Sequence, residues 1–166
     1  MAGEDENMRA LTLWEPWASL TAKGQKKIET RSWKAPDELI GQRIAIHAAK
    51  RMPVIAKIFC REFSKLLGLV TYTGSWLYYL EHGVGSFGKV VATAKLVDCK
   101  KILPDTPNYA FYGDSKGETA IPKDSLEYAF GDYTPGRYAW ILEDIKPLDE
   151  PIPVKGKQRL WEWKNE

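Results

Sequence analysis

The sequence predicts an α+β, mainly β domain. The expected form is a small mixed or antiparallel β-barrel of about six short strands with two or three helices packed on it. Three observations carry this. Short stretches that alternate apolar and polar residues recur from Arg9 to Trp163, bounded by glycine, proline and aspartate. Helical periodicity is confined to the first half of the chain. Regular crossover helices do not separate the strands, which argues against a doubly wound parallel sheet.

The acidic leader MAGEDEN reads as disordered, so residues 1–8 form a tail and residues 9–166 a single domain. RALTLW, Arg9 to Trp14, is a strand. Glu15-Pro16-Trp17 opens a short helix, with proline tolerated in the first turn and Gly24 capping the end. KKIETRSW is a second strand: Ile28 and Thr30 point one way, Glu29, Arg31 and Trp33 the other. Asp37 to Gln42 turns into RIAIHAAK, a third strand. Pro53 starts a helix to about Leu67, whose apolar face holds Val54, Ile55, Ile58, Phe59 and Phe63. SWLYYLEHG is a shorter helix. GKVVATAKLVDCKKI is the longest strand. Residues 103–136, rich in Pro, Gly, Asp and Tyr, read as a long loop with one helical turn, of a length that is usually functional or mobile. RYAWILEDI and QRLWEW close the count.

The formal charge is +2, and the chain after the acidic leader is more basic. This permits a polyanionic partner without requiring one. Seven Trp, eight Tyr and five Phe exceed what one core of this size needs, which points to rings at a binding surface. Cys60 and Cys99 lie in no CxxC or Cys/His cluster, so neither a metal nor a cofactor is expected. No apolar run reaches the ~18 residues of a membrane helix, and a reducing cytoplasm is the expected compartment.

Two signals invite over-reading. Gly83-Val84-Gly85-Ser86-Phe87-Gly88 spells GxGxxG, but it follows a helical segment and precedes a strand, the reverse of a dinucleotide fingerprint. A glycine-rich connection into the long strand is the better reading. His47, the histidine within a strand, is either a hydrogen-bonded, half-buried imidazole or a pocket residue that touches ligand.

Glu29 and Arg31, two apart on a strand, share a face. Lys26 belongs to the turn after Gly24, where its stem can swing towards Glu29. These charges are either an exposed ladder worth under ~1 kcal/mol or the lining of a cleft. The stretch Gly24-Gln25-Lys26-Lys27-Ile28-Glu29-Thr30-Arg31 matches GxKxxExR, and with it the chain resembles the ASCH domain family, related to PUA domains. LTLWEPWASL, IAIHAAK, FGDYTPGRYAWIL and PIPVKGKQRLWEW resemble its bacterial and phage branch. The resemblance implies a PUA-like barrel with a cleft beside the signature and a role in RNA or nucleotide recognition. Some members are hydrolases of N4-acetylated cytidine; others are nucleases or DNA binders.

The partner expected is RNA, another single-stranded nucleic acid or a nucleoside, bound by a monomer. Cations would meet phosphates and rings would stack on bases. The candidate binding residues are Trp14, Lys26, Glu29, Arg31, Trp33, His47, Lys50, Tyr138 and Trp140, with Glu15, Pro16 and Trp17 adding to the rim. Lys155, Lys157, Arg159 and Lys164 form a second basic group around Trp161 and Trp163. If the chain is an enzyme, an amidohydrolase or nuclease, Lys26 and Glu29 are the candidate catalytic residues. Glu29 as base with Lys26 or Arg31 as oxyanion partner is electrostatically more natural than a neutral Lys26 beside a carboxylate. The amidohydrolase branch carries threonine where this chain has Glu29, and its further glutamate has only Glu143 and Asp132 as candidates here. A protein- or metabolite-binding module is the third class.

Overall fold

The computed structural model describes residues 7–58 and 86–164. The acidic leader to residue 6, the helix beyond Ile58, the helix in SWLYYLEHG and the first three residues of the GxGxxG run lie outside the described residues.

The described elements in order are β1 (Met8–Leu13), α1 (Trp17–Ala22), β2 (Ile28–Arg31), a 3-10 turn (Asp37–Leu39), β3 (Arg43–Ala48), α2 (54–58), β4 (Lys89–Leu103), β5 (Tyr109–Asp114), β6 (Gly117–Pro122), α3 (Leu126–Ala129), β7 (Tyr138–Pro153) and β8 (Leu160–Trp163). The strands form one eight-stranded sheet with the order β2-β7-β4-β3-β1-β8, and β5 and β6 attached as a hairpin to the end of β4. β1 and β3 are parallel, and the other pairs are antiparallel.

The mainly β class and the packed helices agree with expectation, but the sheet does not close into a barrel. β2 and β8 are its ends. β2 and the end of β1 are linked by a side chain: Arg31 Nη2 donates to the Thr12 carbonyl at 2.8 Å. The long pair β4 and β7 shifts register three times, between Val90 and Ala92, Thr93 and Lys95, and Leu96 and Asp98. Such bulges curve and twist a sheet.

The core lies on both faces of the curve. On one, Leu11, Leu13, Ile44, Ile46, Leu96 and Trp140 pack with Ala18 of α1. On the other, Trp161 and Trp163 cover Ala10, Ala45 and Val90. Each buried large apolar side chain contributes about 1.5–3 kcal/mol. α1 ends as its sequence predicts: Gly24 takes φ +70°, a left-handed conformation that glycine adopts without strain.

The loop expected over residues 103–136 is a correction. It contains the β5–β6 hairpin, with Asp114 opposite Gly117, and then α3. The turn at Asp114-Ser115-Lys116-Gly117 was legible chemistry; Lys116 N–H donates to the Asp114 carboxylate at 2.8 Å. The strand that begins RYAWIL also runs further, through Pro147, Pro151 and Pro153. Prolines read as breakers, but beyond Ile141 β7 pairs only with β4 and not with β2. A free strand edge is where proline is tolerated.

Candidate nucleic-acid site

After Gly24 the chain folds back on α1. The amides of Gln25 and Lys26 both donate to the Leu20 carbonyl, at 3.0 and 3.1 Å. This turn drops the Lys26 stem into the interior, and the residue is 1 % exposed. Its ammonium returns to the strand that follows, donating to Glu29 Oε2 at 2.6 Å and to the Ile28 carbonyl. Arg31 approaches the other carboxylate oxygen, with Nε 3.0 Å from Glu29 Oε1. One buried carboxylate thus bridges two cations.

Burial alone would raise the Glu29 carboxyl. The Lys26 ammonium and the Arg31 and Arg137 guanidiniums outweigh it and hold the carboxyl below its usual range. Each carboxylate oxygen offers two acceptor directions, so the two cations leave Glu29 with acceptor capacity.

Glu29 and Arg31 stand at a cavity of about 550 Å³. Its walls come from four segments. Thr12, Leu13, Trp14 and Trp17 arrive from β1 and the start of α1. Glu29 to Trp33 come from β2. Ala129 to Asp132 follow α3, with Arg137 behind. Gln158 and Arg159 come from the segment before β8. Trp14 is 50 % exposed, while Trp17 packs on Leu20 and Phe130. Trp33 stands edge-on to Trp140, ring centres 4.7 Å apart.

The expected site residues divide by this geometry. Trp14, Glu29, Arg31 and Trp33 line the cavity, and Trp17 adds to it. Lys26 lies behind the carboxylate. Trp140 is fully buried in the core and donates through Nε1 to the Trp33 carbonyl. Tyr138 packs against the same core and pairs with Arg31 across the strands. Lys50 is exposed and beside Gly88. His47 is outside the lining: it is 2 % exposed, stands edge-on to Trp161, and contacts Thr12 Oγ1 and the Val154 carbonyl. Burial, opposed by the Val154 contact, pushes its pKa down. Of the two candidate further acids, Asp132 lines the cavity and Glu143 does not.

Two positions, Arg137 and Glu127, escaped the sequence reading, and Glu15, expected at the rim, is outside the cavity lining. Arg137 donates to the Thr30 and Asp132 carbonyls and ion-pairs with the Asp132 carboxylate. Glu127 of α3 accepts the amides of Lys27 and Ile28 at 3.0 and 2.9 Å, which seats α3 against the edge of β2. Glu15, fully buried, accepts from the Ser19 amide and hydroxyl at the start of α1. The pairing of strand with α3 is long-range, and nothing local in the sequence announces it.

The geometry joins a buried Lys26–Glu29 pair and the half-buried Arg31, spaced as GxKxxExR, to a cavity beside β2 of a mainly β sheet. The model of the ASCH domain matches residues 11–149. The chain belongs to the ASCH domain family. ASCH domains are in general RNA-binding domains of PUA-like type. No curated protein matches the chain. The matched residues of this ASCH domain include the signature, α3 and Arg137; Gln158 and Arg159 lie beyond them. Among the described residues, no helix is long and apolar enough to cross a membrane, and no cluster of three His, Cys, Asp or Glu could hold a metal ion.

Proposed function

We propose that this ASCH domain binds single-stranded RNA and takes one base into the cavity. The observation that carries the reading is the juxtaposition of the half-exposed Trp14 with the Glu29–Arg31 pair on one 550 Å³ hollow. A ring offers a base a stacking face, worth about 1–3 kcal/mol. The carboxylate accepts from amino or imino groups on a base edge, and the adjacent guanidinium donates to ring nitrogens or carbonyls. Single-stranded RNA exposes these edges, whereas a duplex hides them.

Binding is favoured over hydrolysis by the state of Glu29. A general base works best with a pKa near the operating pH. Three cations hold this carboxyl below its usual range, which suits an ionised acceptor better than a general base.

The test is fluorescence anisotropy of a labelled mixed-sequence RNA decamer against the full chain and Trp14→Ala. Salt-dependent capture, weakened about tenfold or more in the variant, supports the reading. Capture that ignores the variant places the RNA elsewhere. Turnover of N4-acetylcytidine that disappears in a folded Lys26→Ala protein replaces the binder with a hydrolase.

A further inference from the structure

Arg159 is the cavity cation without a counter-charge. Arg31 faces Glu29, and Arg137 faces Asp132 at 3.3 Å. Among the described residues, no carboxylate forms an ion pair with Arg159. Its guanidinium instead lies over the Trp33 ring, 5.9 Å from the ring centre. Among the described residues, the two carboxylates of the cavity wall face Arg31 and Arg137, and neither forms an ion pair with Arg159.

The segment that delivers this residue is fastened to the sheet. Thr12 Oγ1 donates to the Lys157 carbonyl at 2.6 Å and accepts from Trp161 Nε1 at 3.0 Å. The Thr12 amide donates to the Arg159 carbonyl itself. Gly156 crosses directly over the His47 ring: a β-carbon there would stand 2.1 Å from Cε1 of the imidazole. Arg159 has φ +61°, a left-handed backbone unusual for a residue with a side chain. Fastened backbone and a guanidinium without an ion pair among the described residues together describe a pre-set anion contact.

We propose that residues 154–159 are a strap that completes the ligand site, and that Arg159 on it receives a phosphate of the bound strand. The strap lies past residues 11–149, which the family model matches. The inference rests on the RNA-binding reading and adds to it where the backbone of the RNA runs: along the Trp33 side of the cavity, with the base towards Trp14.

The experiment measures affinity for the RNA decamer as a function of salt for the full chain, Arg159→Gln, Arg159→Lys and Trp14→Ala. One phosphate contact on a single strand contributes a slope of about 0.7 in log K against log salt, or about fivefold in affinity near 0.1 M salt. The expected result is that Arg159→Gln loses about fivefold and flattens the slope by about 0.7, while Arg159→Lys keeps the slope. Gly156→Ala, verified as folded by its thermal midpoint, should reproduce the Arg159→Gln slope, because the strap must move off His47. An Arg159→Gln protein with the parent slope overturns the assignment, whether or not its affinity falls. That result beside a weakened Trp14→Ala leaves RNA binding standing. A parent protein that captures no RNA overturns both.

Discussion

Lys26 Nζ and Glu29 Oε2 face each other at 2.6 Å, with the lysine side chain 1 % exposed. A pair this deep has little water to fall back on if one member is removed. Lys26→Met keeps the stem and deletes the charge. It leaves the carboxylate in contact with Arg31, with Arg137 acting from further away, and the Ile28 carbonyl without its donor. We expect a loss of about 3 kcal/mol, at the lower end for broken buried pairs because Arg31 stays in contact with the carboxylate. Urea denaturation measures it, and a loss below ~0.5 kcal/mol would mean the pair is effectively solvated.

Two buried glutamates should respond to pH with opposite signs. The Glu29 carboxyl is held below its ordinary 4.5, against burial, by Lys26 and Arg31. On acidification the unfolded chain takes up this proton first. The stabilisation is therefore complete above about pH 4.5 and is lost as pH falls through the lower folded value. The Glu15 carboxyl is raised, first by burial, with the Ser19 hydrogen bonds opposing. Its stabilisation is present below about pH 4.5 and is lost as pH rises through the folded value. Glu29→Gln should lower the thermal midpoint at pH 7 and flatten its acid limb. Glu15→Gln, which keeps an acceptor for Ser19, should raise the midpoint at pH 7 by about 2–4 °C, the equivalent of roughly 1 kcal/mol. Midpoints from pH 3 to 8 test this; shifts of one sign in both variants at pH 7 would refute it.

Trp14 and Trp140 should separate binding from folding. Trp140→Ala empties a core position and should lower stability by about 3–5 kcal/mol. Trp14→Ala, at a half-exposed rim, should change stability by less than about 0.5 kcal/mol while RNA affinity falls tenfold or more. Parallel denaturation and anisotropy on both variants decide the matter. A strongly destabilised Trp14→Ala would make that ring structural.

Glu127 holds the edge of β2 with two amide hydrogen bonds. Charged acceptors on amides are stronger than neutral ones, but this site is partly open to water. Glu127→Ala should lower stability by roughly 1–2 kcal/mol. Hydrogen exchange should accelerate at the Lys27 and Ile28 amides before the β4–β7 ladder is affected. Unchanged protection at those two amides would show that the carboxylate is dispensable there.

Much of the site was legible because it is local. Lys26, Glu29 and Arg31 fall within six residues of one turn and one strand. Gly24, the strand period and the length of the lysine stem are enough to bring their charged ends together. Trp14 and Trp33 were legible as neighbours of that turn. His47 and Trp140 carry the same residue chemistry but face elsewhere. Which face of β3 or β7 meets the cavity depends on how each strand is covered, and its own alternation does not state that. The β5–β6 hairpin was hidden because its prolines, glycines and aspartates resemble loop composition, although the Asp114–Gly117 turn is a strand-joining element.

By itself, then, the sequence determined the strand-rich class, the order of most elements and the convergence of one lysine, one glutamate and one arginine. All of these depend on contacts a few residues apart. Only the tertiary structure decided that the sheet stays open with β2 and β8 as its ends, that α3 and the strap before β8 wall the cavity, and that Arg137 and Arg159 line it. Those outcomes join residues about 100 positions apart or more. They depend on accumulated bulges and on edge hydrogen bonds such as those of Glu127, for which the chain carries no short-range signal.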